Sequence, residues 1–313
     1  MQHVFFLNFV KVPFRNYGNL SAFGVSVRGR NFYLSGIDGV RLGCWHVLPK
    51  KISEQLGEDS SEADMEKTLS EPGYPIFVYL HGNAMDRFFL ECLAIYIYFF
   101  FRSTNHRVQL YNVLSSLNFH VLAIDYRGYG DSEAFPTEIG LIEDSRTIIK
   151  YARKFSETNN VFVWGHSMGT GVAIATVVAI SDSSYTPLGL VLEAPFNNLH
   201  DVIFNHPFSS PFRWMPRFED ILVKPLQASG LRMNSDTRIG RLIGCPILIM
   251  HAADDQTIPV KLGRLLRDSA VKKNRDVKFV EFDAKRGFQH KFIHLAAELP
   301  SILLYVFFLN FNL

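Results

Sequence analysis

With 313 residues, 48% of them hydrophobic and 20% charged, the chain is long enough to bury one large globular core as a single domain. Lysine plus arginine number 32 against 30 acidic residues, leaving a net charge of +2; no basic field or aromatic-interleaved patch points to nucleic acid. Cys44, Cys92 and Cys245 are odd in number, scattered and without ligand spacing, which excludes a disulfide scaffold and argues against a metal centre.

Residues 1–24 form an N-terminal segment whose apolar start lacks the basic region and small-residue cleavage site of a signal peptide. The hexapeptide at 4–9 recurs at 306–311, too short a match for a structural repeat. Residues 25–34 and 40–47 are β-branched and aromatic runs joined by Ser35-Gly36-Ile37-Asp38-Gly39, which predicts an antiparallel hairpin at a sheet edge. Residues 50–73 are polar and mostly acidic and predict a solvated loop with at most a short helix.

Residues 75–80 form a continuous apolar run, as expected of a strand buried on both faces, and end in His81-Gly82-Asn83-Ala84. Residues 88–104 are an apolar insertion; its apolar part as a helix measures roughly 20 Å against the ~30 Å hydrocarbon core, so no membrane span is expected. A helix over 106–117 and a strand over 120–124 follow, then the tight turn Asp125-Tyr126-Arg127-Gly128-Tyr129-Gly130-Asp131-Ser132. Glu133 stands where a dinucleotide fingerprint would need its third glycine, so no nicotinamide cofactor is expected.

A helix over 139–156 leads to a strand from 161, a helix to 180 and a strand over 188–194. Between 195 and 244 the rhythm breaks into a proline- and aromatic-rich stretch that reads as an inserted cap, with Phe208, Phe212 and Trp214 as candidates to contact substrate. Strands over 246–250 and 277–282, a helix over 260–270 and a helix over most of 290–308 complete the pattern. This alternation predicts an α/β fold with a mostly parallel eight-stranded sheet flanked by helices. Residues 25–305 make the domain, the cap follows the sixth strand, and 306–313 are a tail.

Gly165-His166-Ser167-Met168-Gly169 sits between a β-rich run and an Ala/Val-rich run, the strand–turn–helix setting of a nucleophile elbow. Glycines there let the chain reverse sharply and push Ser167 clear of the sheet. The N–H of Met168 opens a helix, where donors are unpaired and the dipole favours negative charge, which suits an oxyanion. Asn83, after a glycine at a strand end, is the second expected oxyanion donor.

A serine nucleophile needs an imidazole base and a carboxylate to orient it, in the chain order serine, acid, histidine for this elbow. Of eleven histidines, His290 and His294 follow the last strand-end carboxylates, and His290, in the loop just past the last strand, is preferred. Asp254 and Asp255 follow the 246–250 strand, and Asp255 is preferred as the acid. Glu193 reads as a strand-end residue bound to backbone. His81 and His251 read as orienting groups in the site floor and His166 as packing beside the nucleophile.

With these residues in place, the chain resembles the α/β-hydrolases, and among them the monoacylglycerol and lysophosphatidylserine lipases. The likeness runs from about residue 39 to 300. It is carried by Tyr79-Leu80-His81-Gly82-Asn83-Ala84, the run 106–117, the turn 125–132, Trp164 to Ala173, His206-Pro207-Phe208, His251-Ala252-Ala253-Asp254-Asp255 and His290-Lys291-Phe292-Ile293. The resemblance implies the α/β-hydrolase fold, a triad of Ser167, Asp255 and His290, and lysophospholipids and monoacylglycerols as substrates. It implies work at a membrane surface and an endoplasmic reticulum location, the family's membrane span lying ahead of its catalytic domain, at a point before this sequence starts. No cofactor is implied, and the segment 88–104 interrupts the family's passage from the oxyanion loop to the next helix.

Overall fold

The computed structural model describes residues 5–6, 16–57, 59–83, 105–155, 160–181, 186–207, 209 and 213–306. An eight-stranded sheet organises them: β1 (Gly29–Ser35), β2 (Arg41–Val47), β3 (Ile76–Leu80), β4 (His120–Ile124), β5 (Val161–His166), β6 (Gly189–Glu193), β7 (Ile247–Ala252) and β8 (Val277–Phe282). Their order is β1-β2-β4-β3-β5-β6-β7-β8. β1 and β2 pair antiparallel, β2 meets β4 antiparallel, and the remaining pairs are parallel. The expected edge hairpin is thus present, its first strand starting at Gly29 and not at residue 25.

Six helices matter for the site: α1 (Asn105–Ser116), α2 (Glu138–Phe155), α3 (Met168–Ser181), α4 (Leu199–Asn205), α5 (Val260–Lys272) and α6 (Leu299–Leu304). β3, β4 and β5 are buried along their whole length, which is why they read as unbroken apolar runs without alternation. Phe77 stacks on Phe162 with ring centroids 5.1 Å apart and leans on Phe119 at 5.2 Å. Cutting such a ring back to alanine costs about 3–5 kcal/mol. α2 turns Leu141, Ile148 and Ala152 inward, at helical spacing. α3 is buried on nearly every side, packed against β5 and α2, so its sequence carries no polar face.

Two sequence expectations need correction. The stretch 50–73 is not a plain solvated loop: short helices Lys50–Gln55 and Glu62–Lys67 form, and Ile52 and Met65 pack with Leu48 in a small cluster of their own. Ser61 and Asp64 make a capping box there, a local signal on elements too short to show periodicity. The terminal stretch is not one helix from residue 290. It folds as a 3-10 turn, Ile293–Leu295, and a separate α6 that starts beside Pro300, a residue that fits the first turn of a helix and not its interior.

Within the cap stretch, α4 is followed by a π-helical turn, Glu219–Val223, and short helices Lys224–Ala228 and Ser235–Arg238. The buried carboxylate of Glu138 ties this stretch to α2, accepting from the Met233 N–H at 3.0 Å and from Arg238 at 2.6 Å. Among the described residues, no helix is long and apolar enough to cross a membrane. The segment 84–104, with the insertion and Cys92, lies outside the described residues; Cys44 and Cys245 are buried free thiols.

Candidate active site

Ser167 stands between the last residue of β5 and the first of α3 with φ of 54°, a left-handed conformation that ordinary residues avoid at a cost of roughly 1–2 kcal/mol. Hydrogen bonds fix it there: its N–H donates to Glu193 O at 2.9 Å, and its carbonyl accepts from Thr170 N at 2.9 Å. The glycines on either side are required by contact. A Cβ on Gly165 would stand 2.5 Å from Gly169 O, and one on Gly169 would stand 2.1 Å from Leu80 O. Because Met168 is the first residue of α3, its N–H has no acceptor within the helix and opens beside the serine.

The side chains proposed from the sequence come together. His290 Nε2 lies 3.0 Å from Ser167 Oγ, and His290 Nδ1 lies 2.7 Å from Asp255 Oδ2. That pattern places the ring proton on Nδ1, donating to the carboxylate, and leaves Nε2 to accept from the serine hydroxyl. Asp255 is 5% exposed and receives the Thr257 and Ile258 N–H groups on Oδ1 at 2.9 and 2.8 Å. His251 donates through Nε2 to Ile258 O at 2.8 Å, 3.3 Å from Asp255 Oδ2. Burial alone raises the Asp255 carboxyl, but the charge of His290 and the hydrogen bonds of His251 and His290 outweigh it and hold the group well below the usual carboxylate range.

The two remaining alternatives have structural positions. Asp254 accepts the N–H of Gln289 at 3.1 Å, steadying the residue before the base, which has φ of 48°. His294 is packed away, 2.6 Å from Gln109 Oε1 through Nε2. His251 thus acts in the site floor as expected. His166 does more than pack: its Nε2 donates to His290 O at 2.9 Å, and burial, followed by the charge of His290, lowers it to about 3, so the ring stays neutral. Glu193 also departs from the expectation, since its side chain binds an indole instead of backbone: Trp164 Nε1 donates to Oε2 at 2.9 Å. Burial pushes this carboxyl up to about 7, against the opposing indole bond and His290.

Gly82 lies against the nucleophile, where an added Cβ would be 3.0 Å from Ser167 Cβ. Asn83 beyond it is held by its side chain, which donates to Phe5 O at 2.7 Å and accepts from Tyr129 Oη at 3.0 Å. Of the expected substrate contacts, Trp214 is 80% exposed on the cap surface, while Phe208 and Phe212 lie outside the described residues. Open depressions of about 380 Å³ and 350 Å³ indent the cap, one lined by Phe204, Arg213 and Lys224 among others and one by Gln227 and Arg232 among others; Ser167 lines neither. Among the described residues, no group of three or more His, Cys, Asp or Glu could hold a metal. The sequence placed His166 and Trp164 beside the nucleophile but not their hydrogen bonds to His290 O and the Glu193 carboxylate, because those depend on which loops and strands fold against them.

Residues 103–240 match the family model described as serine aminopeptidase, S33 (Hydrolase_4). Lysophosphatidylserine lipase ABHD12 of Danio rerio is 36% identical over 303 residues, 95% of this chain and 74% of its own length. The Rattus norvegicus protein of the same name is 37% identical over 303 residues, 95% and 71% respectively. The esterase Pf2001 of Pyrococcus furiosus superposes with a TM-score of 0.62 at 18% identity, covering 92% of this chain and 93% of that one, and shares the fold. The extent and level of these sequence matches, on a fold that sets serine, imidazole and carboxylate in hydrogen-bonded sequence, identify the chain as a member of the lysophosphatidylserine lipase ABHD12 family of α/β-hydrolases.

Proposed function

We propose that this protein is a serine ester hydrolase that removes the acyl chain of lysophospholipids, with lysophosphatidylserine the leading substrate and monoacylglycerols accepted on the same chemistry. One observation carries the reading: Ser167 Oγ, both nitrogens of His290 and the carboxylate of Asp255 stand in unbroken hydrogen-bonding order. The names of the relatives supply the substrate class.

Ser167 Oγ attacks the acyl carbonyl as His290 Nε2 takes its proton, and Asp255 stabilises the imidazolium that forms. The tetrahedral oxyanion accepts from the N–H groups of Met168 and Asn83, each such donor being worth about 10²–10³ in kcat. Collapse breaks the ester C–O bond, and the His290 proton passes to the departing glycerol oxygen. Water, deprotonated by His290, then attacks the acyl-serine; the acyl–Oγ bond breaks, His290 returns the proton to Ser167 Oγ, and the fatty acid leaves. Phe208, Phe212 and Trp214 are proposed to meet the acyl chain, where each buried CH₂ contributes roughly 0.8 kcal/mol. A membrane surface, with the endoplasmic reticulum as the site of action, is the setting proposed for such a lipid substrate.

The test compares fatty-acid release from lysophosphatidylserine, monoacylglycerol, an acyl thioester and an aminoacyl substrate, with fluorophosphonate labelling mapped to its residue. The expected result is turnover of the first two, label on Ser167, and loss of both in Ser167→Ala. Label elsewhere, activity surviving in Ser167→Ala, or preference for the thioester or aminoacyl substrate would overturn the assignment.

A further inference from the structure

The peptide between Gly82 and Asn83 is held through its carbonyl oxygen. Arg107, in the first turn of α1, donates from Nη2 to Gly82 O at 3.4 Å, and His81 Nδ1 lies 2.8 Å from the same oxygen. In a trans peptide the C=O and the following N–H point in opposite directions. Fixing Gly82 O toward α1 therefore turns the Asn83 N–H away from α1. Gly82 also lies close to the nucleophile: a Cβ added to it would stand 3.0 Å from Ser167 Cβ. We propose that Arg107 is a positioning residue: by gripping Gly82 O it sets the peptide plane that presents the Asn83 N–H to the oxyanion formed at Ser167. This inference rests on the ester-hydrolase reading above.

The surroundings of Arg107 argue that its charge serves a purpose beyond packing. It is 2% exposed, and its Nε and Nη1 have no hydrogen-bond partner among the described residues. A guanidinium does not deprotonate, and burying one without a counter-ion costs several kcal/mol. Among the described residues, the carboxylates that act on the same phenols are engaged elsewhere, Glu193 by the Trp164 indole and Asp144 by Arg127, and the imidazoles and phenols beside Arg107 do not offset its charge. His106 and His166 are driven to the neutral form by burial and by neighbouring positive charge. Tyr79, Tyr126 and Tyr129 keep their phenolic protons because burial raises them more than Arg107 lowers them. A methionine would fill a similar volume at none of this electrostatic cost. The hydrogen bond that the guanidinium does make falls one peptide away from Ser167, and a buried cation there also polarises that peptide, making its N–H the better donor.

The test uses the full chain with p-nitrophenyl butyrate and a trifluoromethyl ketone, which forms a tetrahedral adduct on the serine. Arg107→Met is expected to lower kcat by about a hundredfold, near the lower end for losing one oxyanion donor, with KM within about twofold. Affinity for the ketone is expected to fall by the same factor as kcat, and Arg107→Lys to recover part of the loss. A folded Arg107→Met protein with kcat within about threefold of wild type, or with the loss confined to KM, overturns the proposal.

Should Arg107→Met fail to fold, His81→Phe removes the other hold on Gly82 O while keeping the ring packed 4.4 Å from that of Tyr126. The same kcat-only loss is expected of it, and unchanged kcat overturns the proposal. Wild-type turnover that Ser167→Ala abolishes establishes the hydrolase reading separately, so a wild-type rate in the Arg107 variant refutes the positioning role alone.

Discussion

Replacing Asp255 by asparagine isolates the electrostatic half of the triad, because the structure dictates how the amide must sit. Oδ1 of Asp255 already accepts two backbone N–H groups, from Thr257 at 2.9 Å and Ile258 at 2.8 Å. The asparagine carbonyl has to take that position, since an NH₂ there would face two donors. Its NH₂ is then left facing His290 Nδ1, at the place of the oxygen now 2.7 Å away. A donor in that position makes Nδ1 the acceptor and moves the ring proton to Nε2, the nitrogen that must accept from Ser167. The amide substitution in a serine protease triad lowers kcat by about 10⁴, which is roughly 5–6 kcal/mol of transition-state stabilisation. We expect a loss of that size here, read as kcat on a chromogenic ester with circular dichroism as the control for folding. Asp254→Asn keeps an oxygen for the Gln289 N–H and is expected to cost less than about tenfold, the worth of one weakened hydrogen bond. Activity of Asp255→Asn within tenfold of wild type, or an equally deep loss in Asp254→Asn, would refute the reasoning.

Gly169→Ala places a Cβ 2.1 Å from Leu80 O, a backbone atom that cannot move aside, so stability should fall by about 3 kcal/mol or more in urea titration; a loss below about 1 kcal/mol would contradict this. Glu193, lifted by burial to about 7, keeps a proton in the native state that the unfolded chain releases from about pH 4.5 upward. Its contribution to stability is therefore full below that pH and is lost as pH rises to about 7, on the order of 3 kcal/mol. Glu193→Gln should remove this part of the slope, seen by comparing urea midpoints at about pH 5 and about pH 8; identical slopes in both proteins would sink the idea. Trp214→Ala should leave stability within about 0.5 kcal/mol, because the side chain is 80% exposed, yet raise KM for a long-chain lysophospholipid and not for a short-chain ester. An unchanged long-chain KM would remove Trp214 from the substrate path.

Much of the architecture could be read in order along the chain, because it rests on local patterns. Fully buried strands such as β3 and β4 show as unbroken apolar runs, and α2 shows its helical stripe. The Gly-x-Ser-x-Gly elbow, the strand-end aspartates and the late histidine are likewise local, so Ser167, Asp255 and His290 could be picked out with their neighbours Asp254 and His294 as rivals. The pattern failed where elements are very short, as at Glu62–Lys67, or where tertiary hydrogen bonds and Pro300 interrupt an apolar stretch, as between His290 and α6.

The choice between those rivals belonged to tertiary structure. Asp255 and Asp254 are adjacent in sequence, yet one meets His290 Nδ1 and the other meets the Gln289 N–H, because the β7 turn and the loop beyond β8 approach in a single register. Nothing local marks His166 as a donor to His290 O, Glu193 as a partner of the Trp164 indole, or Arg107 as the cation on the Gly82 carbonyl. Sequence by itself determined which groups can react and which segments bury. Which of them meet, and which proton sits on which nitrogen, is a matter of distances near 3 Å between residues 29 to 124 positions apart, and only the folded chain sets those.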